Sequence, residues 1–356
     1  MRSLRAAGIA TLALPLALGA QPTPGALVPT AYGVGSNLPW QAKSTIVTAS
    51  NPFDPQYFVP PGGRLDGVAG LIIYQQSGTF LCTGSLFAVD HILTAAHCVA
   101  GSNGKAQFDS VQAFFFPPDN GGLPEIHSVA YGRIAPGYTG EVVDENDLAV
   151  LKLETVPSSG VTRYSLYTGS PTGNEIELSG FGASGRGSTG FTFADGTRRV
   201  GGNRYDFSFA DAVWGGFWSG FFGTAGVDVL LADFDSPSPV TNTSCIIEFA
   251  ILGTQNFCDL GLGEWEVGPG PGDSGGPNFV NGQLAGVNSF ILSFGSSFGD
   301  IDNFLNGSFG EFSGYTRVDT HLQWLGAVTP EPASLALLAT GLVGLFGVGV
   351  ARHRRR

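Results

Sequence analysis

The chain has 356 residues, 54 of them glycine and 27 phenylalanine, with only 13% charged residues and a formal net charge of −12. This acid excess argues against a nucleic-acid partner, which calls for a basic surface. Short apolar runs separated by Gly, Pro, Ser and Asn clusters, with almost no lysine-rich helical periodicity, point to many short strands in an exported all-β globule.

Residues 1–20 read as a signal peptide: Arg2 and Arg5, an apolar stretch from Ala6 to Leu18, then the small Gly19 and Ala20. The apolar stretch is short for a membrane anchor, and Pro15 interrupts it. Residues 21–64, rich in Pro, Gly and small polar residues, read as a pro-segment or loose lead-in.

Further along come Cys82-Thr83-Gly84-Ser85-Leu86 and Leu93-Thr94-Ala95-Ala96-His97-Cys98. In Asn146-Asp147-Leu148-Ala149-Val150-Leu151-Lys152-Leu153 a carboxylate stands at the mouth of a largely buried strand. Asp144 and Glu145 compete with Asp147, but their place in the preceding loop suggests solvated side chains. Glu177-Leu178-Ser179-Gly180-Phe181-Gly182 follows. Ser184 to Asn203 is glycine-rich and Phe207 to Phe222 dense in aromatics. That region reads as an enlarged surface loop followed by a buried strand pair, or alternatively as a lid or exosite beside a cleft. The remaining motifs are Gly272-Asp273-Ser274-Gly275-Gly276-Pro277, Ala285-Gly286-Val287-Asn288-Ser289-Phe290 and Gly314-Tyr315-Thr316-Arg317-Val318. His91, His127, His321 and His353 lie outside any comparable motif and read as surface or structural residues.

A serine hydroxyl is a weak nucleophile at neutral pH, so acyl transfer needs an imidazole to take its proton and a carboxylate to fix the imidazole tautomer. His97, Asp147 and Ser274 supply these groups, in that chain order. Together the motifs resemble the chymotrypsin-like (trypsin-like) serine protease family over roughly residues 65 to 326. The resemblance implies two six-stranded antiparallel β-barrels, about 65–165 and 166–326, and a short C-terminal helix, with the active site between the barrels. The implied activity is that of a serine endopeptidase acting on protein or peptide through an acyl-enzyme, without cofactor or metal. Activity should rise as His97 loses its proton. The rival classes are an esterase using the same triad and a non-catalytic surface or matrix protein on a protease fold.

The resemblance also implies finer assignments. The N–H groups of Gly272 and Ser274 form the oxyanion hole, and Ser289 contacts the catalytic carboxylate. Cys82 pairs with Cys98, leaving Cys245 with Cys258. Gly268, Ile291 and Ser313 line the primary pocket beside Ser289 and Phe290, the latter standing where tryptophan is usual. An uncharged Gly268 and a bulky Ile291 suggest a shallow pocket for small or medium apolar side chains, unless a slipped loop register brings in Glu264 or Glu266. Family zymogens free an Ile or Val whose ammonium pairs with the carboxylate preceding the nucleophile, here Asp273. No Ile-Val-Gly-Gly stretch is present, so cleavage after Arg64, freeing Leu65, is the candidate, and otherwise Asp273 finds another partner.

At the C-terminus, Val328-Thr329-Pro330-Glu331-Pro332 precedes an apolar segment, 333–350, long enough to span a bilayer, and then Arg352, Arg354, Arg355 and Arg356. The layout of 328–356 resembles PEP-CTERM sorting signals of Gram-negative bacteria, with a plain single-span anchor as the alternative. It implies an exosortase-type processing partner, membrane attachment before processing, and a location at the cell surface or beyond. Removing the six arginines and one glutamate of the two ends lowers the net charge from −12 to about −17, which serves solubility or weak calcium binding by loops.

Overall fold

In the computed structural model, residues 46–329 are described, apart from 142, 194–195 and 223–227. The expected signal peptide (1–20), the start of the lead-in and the apolar segment 333–350 lie outside these residues. Among the described residues no helix is long and apolar enough to cross a membrane.

The described chain begins with a buried strand, β1 (Ile46–Thr48), and Tyr57 is fully buried soon after. The packed domain therefore extends at least to Ile46, ahead of the expected start at Leu65. Leu65 is held inside a tied turn: its carbonyl and the Asp66 carboxylate accept from the buried Arg198 guanidinium at 2.7 and 2.6 Å.

Six strands follow: β2 (Val68–Gln75), β3 (Gly78–Leu86), β4 (His91–Thr94), β5 (Ser110–Phe115), β6 (Glu125–Ile134) and β7 (Ala149–Leu153). They close in the order β2-β3-β4-β7-β6-β5. Closure sets Gly70 opposite Phe114. A Cβ at Gly70 would lie 2.0 Å from that ring, so only glycine lets Phe114 lie across β2, where it meets Phe181 of the second half. On the other face Leu71, Ile73, Leu86, Ile92 and Leu151, all at most 1% exposed, fill the barrel.

The rest of the chain forms β8 (Glu175–Gly180), β9 (Ser184–Arg186), β10 (Gly190–Phe193), β11 (Arg199–Arg204), β12 (Phe207–Ser208), β13 (Val229–Asp233), β14 (Val267–Gly268), β15 (Pro277–Val280), β16 (Gln283–Leu292) and β17 (Phe312–Arg317). Seven of these make one sheet, β11-β8-β15-β16-β17-β13-β12. The expected second six-stranded barrel is thus modified. Its two edge strands are consecutive pieces of one run, broken only at Tyr205 and Asp206, where Tyr205 N–H donates to Asn174 and Asp206 N–H to Leu231. The run bends from one edge of the sheet to the other, so the curl is completed by the chain and not by an unbroken ladder.

A smaller sheet, β10-β9-β1-β14, seats the first strand. Ser184 to Asn203 is therefore strand structure in the main, not a surface loop. The aromatic stretch also departs from both expectations. It contains β12 and a short helix, α1 (Phe217–Phe222), and Phe207, Phe209, Trp214 and Trp218 are all buried. Phe207 meets Trp214 tilted and Phe209 stacks on Trp218, each pair with ring centroids 4.7 Å apart, and they pack with Phe290 and Phe312. Side chains that large belong inside when few charges are available to solvate them.

Helix α2 (Thr243–Leu252) is stapled by a Cys245–Cys258 disulfide. In the closing helix, α3 (Leu322–Val328), Leu325 joins the apolar core of the first barrel, as do Phe279, Leu284, Val287 and Val318 from the second half. This shared core fixes how the two halves meet, and the candidate site lies at that junction.

Candidate active site

His97 sits in the tight turn Ala96–Cys98 directly after β4. Ala95 and Ala96 are fully buried, so the turn lies flat on the barrel, and the Cys82–Cys98 disulfide ties it to β3. Asp147 is 1% exposed and accepts three hydrogen bonds: from His97 Nδ1 at 2.7 Å, from the His97 backbone N–H at 2.8 Å and from Ser289 Oγ at 2.5 Å. A carboxylate facing Nδ1 requires the proton on that nitrogen, leaving the Nε2 lone pair free. Burial pulls the imidazole pKa down. The charge of Asp147 and its hydrogen bond more than offset this and leave the pKa above its ordinary value.

Ser274, half-buried, occupies a turn that needs glycine at Gly272 (φ 98°) and Gly275 (φ 81°). A Cβ at Gly275 would lie 2.0 Å from Thr94 Oγ1, so the turn is pressed against the segment that leads to His97. Thr83 bolts the contact: its N–H donates to the Ser274 carbonyl at 2.8 Å and its hydroxyl to the Gly272 carbonyl at 2.9 Å. Among the described residues the N–H groups of Gly272 and Ser274 have no acceptor, whereas Asp273, Gly275 and Gly276 donate to Gly270, Asn288 and Asp273. His97 Nε2 is buried and makes no hydrogen bond among the described residues, so the Ser274 hydroxyl is not joined to it in this structure.

Asp273, fully buried, accepts from the N–H groups of Gly182 and Gly270 at 2.8 Å each. A third backbone donor is Ile46. Burial pushes the Asp273 carboxyl up to about 7 in spite of these bonds. The candidate N-terminus at Leu65 supplies none of these donors. The alternative, that Asp273 finds another partner, is met by Ile46, and the signal for it was the Ile46-Val47 dipeptide without the glycines that usually follow.

Of the expected pocket residues, Gly268, Ile291 and Ser313 come together. Ser313 is the β17 partner of Ile291, and a Cβ at Gly268 would lie 3.7 Å from Ser313 Oγ and 3.6 Å from the Phe234 ring. Phe234, itself buried, thus floors the space beside Gly268, a role not read from the sequence. Phe290 packs into the aromatic core, and Ser289 turns to Asp147. Glu266 is buried and uses its two oxygens on the N–H groups of Asp235 and Leu262, both at 2.6 Å.

Residues 68–200 match the family model for trypsin, and residues 328–356 match the PEP-CTERM protein-sorting motif. The similarity to trypsin thus falls on the stretch that holds His97 and Asp147. The chain is 26% identical over 321 residues to the trypsin Tyr p 3.0101 of Tyrophagus putrescentiae, covering 84% of this chain and 92% of the relative. Its fold is similar to a solved structure titled as an HL collagenase, with a TM-score of 0.51 and 19% identity over 77% of this chain and 98% of the other. The sorting motif marks the protein as extracytoplasmic and directed to the cell surface, as in Gram-negative bacteria.

The rival carboxylates beside the candidate site are structural. Asp144 is not solvated, as its loop position suggested, but fully buried, where it accepts from the N–H and hydroxyl of Thr139 and from Asn146 N–H. Glu145 accepts from the Asp228 N–H. His127 is held between Thr155 and Glu125, and His321 between the Arg317 carbonyl and Asn146.

Proposed function

We propose that this protein is an exported serine endopeptidase in which Ser274 attacks the peptide carbonyl, His97 carries the proton and Asp147 orients the imidazole. The observation that carries this reading is the triply held Asp147, which leaves Nε2 of His97 as the free base. Nε2 takes the Ser274 proton as the tetrahedral intermediate forms, then passes it to the leaving amine. The unpartnered N–H groups of Gly272 and Ser274 receive the developing oxyanion. Loss of one such donor costs about 3 to 4 kcal/mol of transition-state stabilisation. The open Ser274–His97 contact is consistent with a pair that tightens once substrate excludes water. The buried Phe234 ring stands within van der Waals reach of a Cβ at Gly268, which supports preference for small apolar side chains.

The test is labelling by a fluorophosphonate probe, followed by turnover of peptide against ester substrates. Covalent capture at Ser274 with peptide cleavage is expected. An unlabelled protein would point to a binding module, and ester turnover without peptide cleavage to an esterase.

Maturation is part of the same proposal. Cleavage between Thr45 and Ile46 would turn the Ile46 N–H into an ammonium facing Asp273. Ile46 has a φ of 64°, a backbone region unfavourable for a β-branched residue, and a freed N-terminus has no such constraint. The opposite charge would then bring the Asp273 carboxyl back below about 7. N-terminal sequencing of the active protein is expected to begin at Ile46; an active form beginning elsewhere would refute this. At the other end, an exosortase-type enzyme would act near Pro330-Glu331-Pro332 after transient membrane attachment.

A further inference from the structure

We propose that Asn288 is a positioning residue that aims an oxyanion donor, and that Asn278 and Tyr205 lock it in place. This inference rests on the serine protease reading of the site. The Asp273 carbonyl accepts from Gly276 N–H at 2.8 Å and from Asn288 Nδ2 at 3.0 Å. That carbonyl shares a planar trans peptide with the Ser274 N–H, and in such a unit the two bonds point in opposite directions. Fixing the carbonyl therefore fixes where the Ser274 N–H points, and that N–H is one of the two without an acceptor.

The grip continues inward. Asn288 Oδ1 accepts from Asn278 Nδ2 at 2.7 Å, and Asn278 Oδ1 accepts from the Tyr205 hydroxyl at 2.8 Å. The direction is forced by chemistry: a carbonyl can only accept, so Asn288 must present its amide nitrogen to Asp273 and its oxygen to Asn278, whose own oxygen then faces the phenol. Burial pushes the Tyr205 phenol well above its ordinary range, so it remains a donor. Asn278, Asn288 and Tyr205 are all at most 2% exposed.

Two glycines leave room for this chain. A Cβ at Gly286 would lie 2.3 Å from the Tyr205 hydroxyl, and one at Gly276 would lie 2.9 Å from Asn288 Nδ2. Asn288 also holds the turn with its backbone, accepting from Gly275 N–H and donating to the Gly276 carbonyl at 2.9 Å each. Its neighbour Ser289 sits at a register shift between Asn288 and Phe290 and binds Asp147. Adjacent residues of β16 thus hold the donor turn and the carboxylate, a use for an irregular strand beside an active site.

The test compares wild type, Asn288→Ala and Tyr205→Phe as full-length matured protein, with rates referred to the active sites titrated by a fluorophosphonate. Asn288→Ala is expected to lower kcat by about 10-fold, less than loss of a whole donor, with KM changed less than about 2-fold. A peptide boronate, whose tetrahedral adduct places an oxygen at these N–H groups, should weaken by a similar factor while a product peptide binds unchanged. Tyr205→Phe should give a smaller loss of the same kind, and the double variant less than the product of the two, as members of one chain. Unchanged kcat and boronate affinity per titrated site would overturn the proposal, as would equal losses for boronate and product peptide. Should Asn288→Ala fail to fold, Tyr205→Phe, which keeps the ring, decides between the same outcomes. A wild type that neither labels nor cleaves peptide would instead refute the underlying protease reading.

Discussion

Replacing Ser274 with alanine is expected to lower kcat for peptide hydrolysis by about a million-fold, with KM nearly unchanged. In the proposed mechanism the hydroxyl forms the covalent bond, and no other side chain in the turn can take over: Gly272, Gly275, Gly276 and Pro277 offer none, and Asp273 is buried beneath with its oxygens bound to backbone N–H groups. Binding contacts and the two free N–H donors survive the change, so a small residual rate above that in water should persist. Adding His97→Ala to this variant should cost almost nothing more, because a base without its nucleophile has no task. Active-site titration beside steady-state kinetics measures both, and a fully active Ser274→Ala protein would end the triad assignment.

Asp147→Asn should lower kcat by about 10^4-fold, the scale associated with losing the tautomer lock in Ser-His-Asp triads. The His97 backbone N–H and the Nδ1 proton now occupy different oxygens of Asp147. If an amide keeps its oxygen toward the backbone N–H, it presents an N–H to Nδ1, which must then accept. The ring proton moves to Nε2, and the base is lost. In the wild type, kcat/KM should rise with pH as His97 deprotonates, through a midpoint above the ordinary histidine value of about 6.5. The sign follows from Asp147 favouring the charged ring. In the variant burial acts alone, so the midpoint of any residual activity should shift downward. A pH–rate profile of both proteins checks this, and an unchanged midpoint would show that Asp147 does not govern the imidazole.

The parts of the site that were legible in the sequence are those whose constraints are local. Gly272 and Gly275 stand where φ is positive, so the turn around Ser274 is written into its neighbours. The strand after Asp147 announces itself by an apolar run, which marks the buried end at which the carboxylate sits. Asp144 shows the weakness of the same reasoning. A loop position suggested solvent, but the loop folds around Asp144 and supplies three donors. Ile46 was missed because its contact with Asp273 joins a strand to a turn remote in the chain, and the dipeptide alone lacks the glycines that mark the usual motif. The aromatic stretch 207–222 has the composition of either a sticky lid or a core, and only the sheet laid against it decides between them.

By itself, the sequence determined the strand-rich class, the three chemical groups in their order and the sorting motif at the end of the chain, because composition, turn glycines and short motifs act through near neighbours. The tertiary structure alone decided that a bent run completes the second sheet, that Ile46 meets Asp273, and that Tyr205, Asn278 and Asn288 converge behind the turn that carries Ser274. Those contacts depend on how separate strands register against one another, and a buried polar group finds its partner only when that packing brings one within hydrogen-bonding distance.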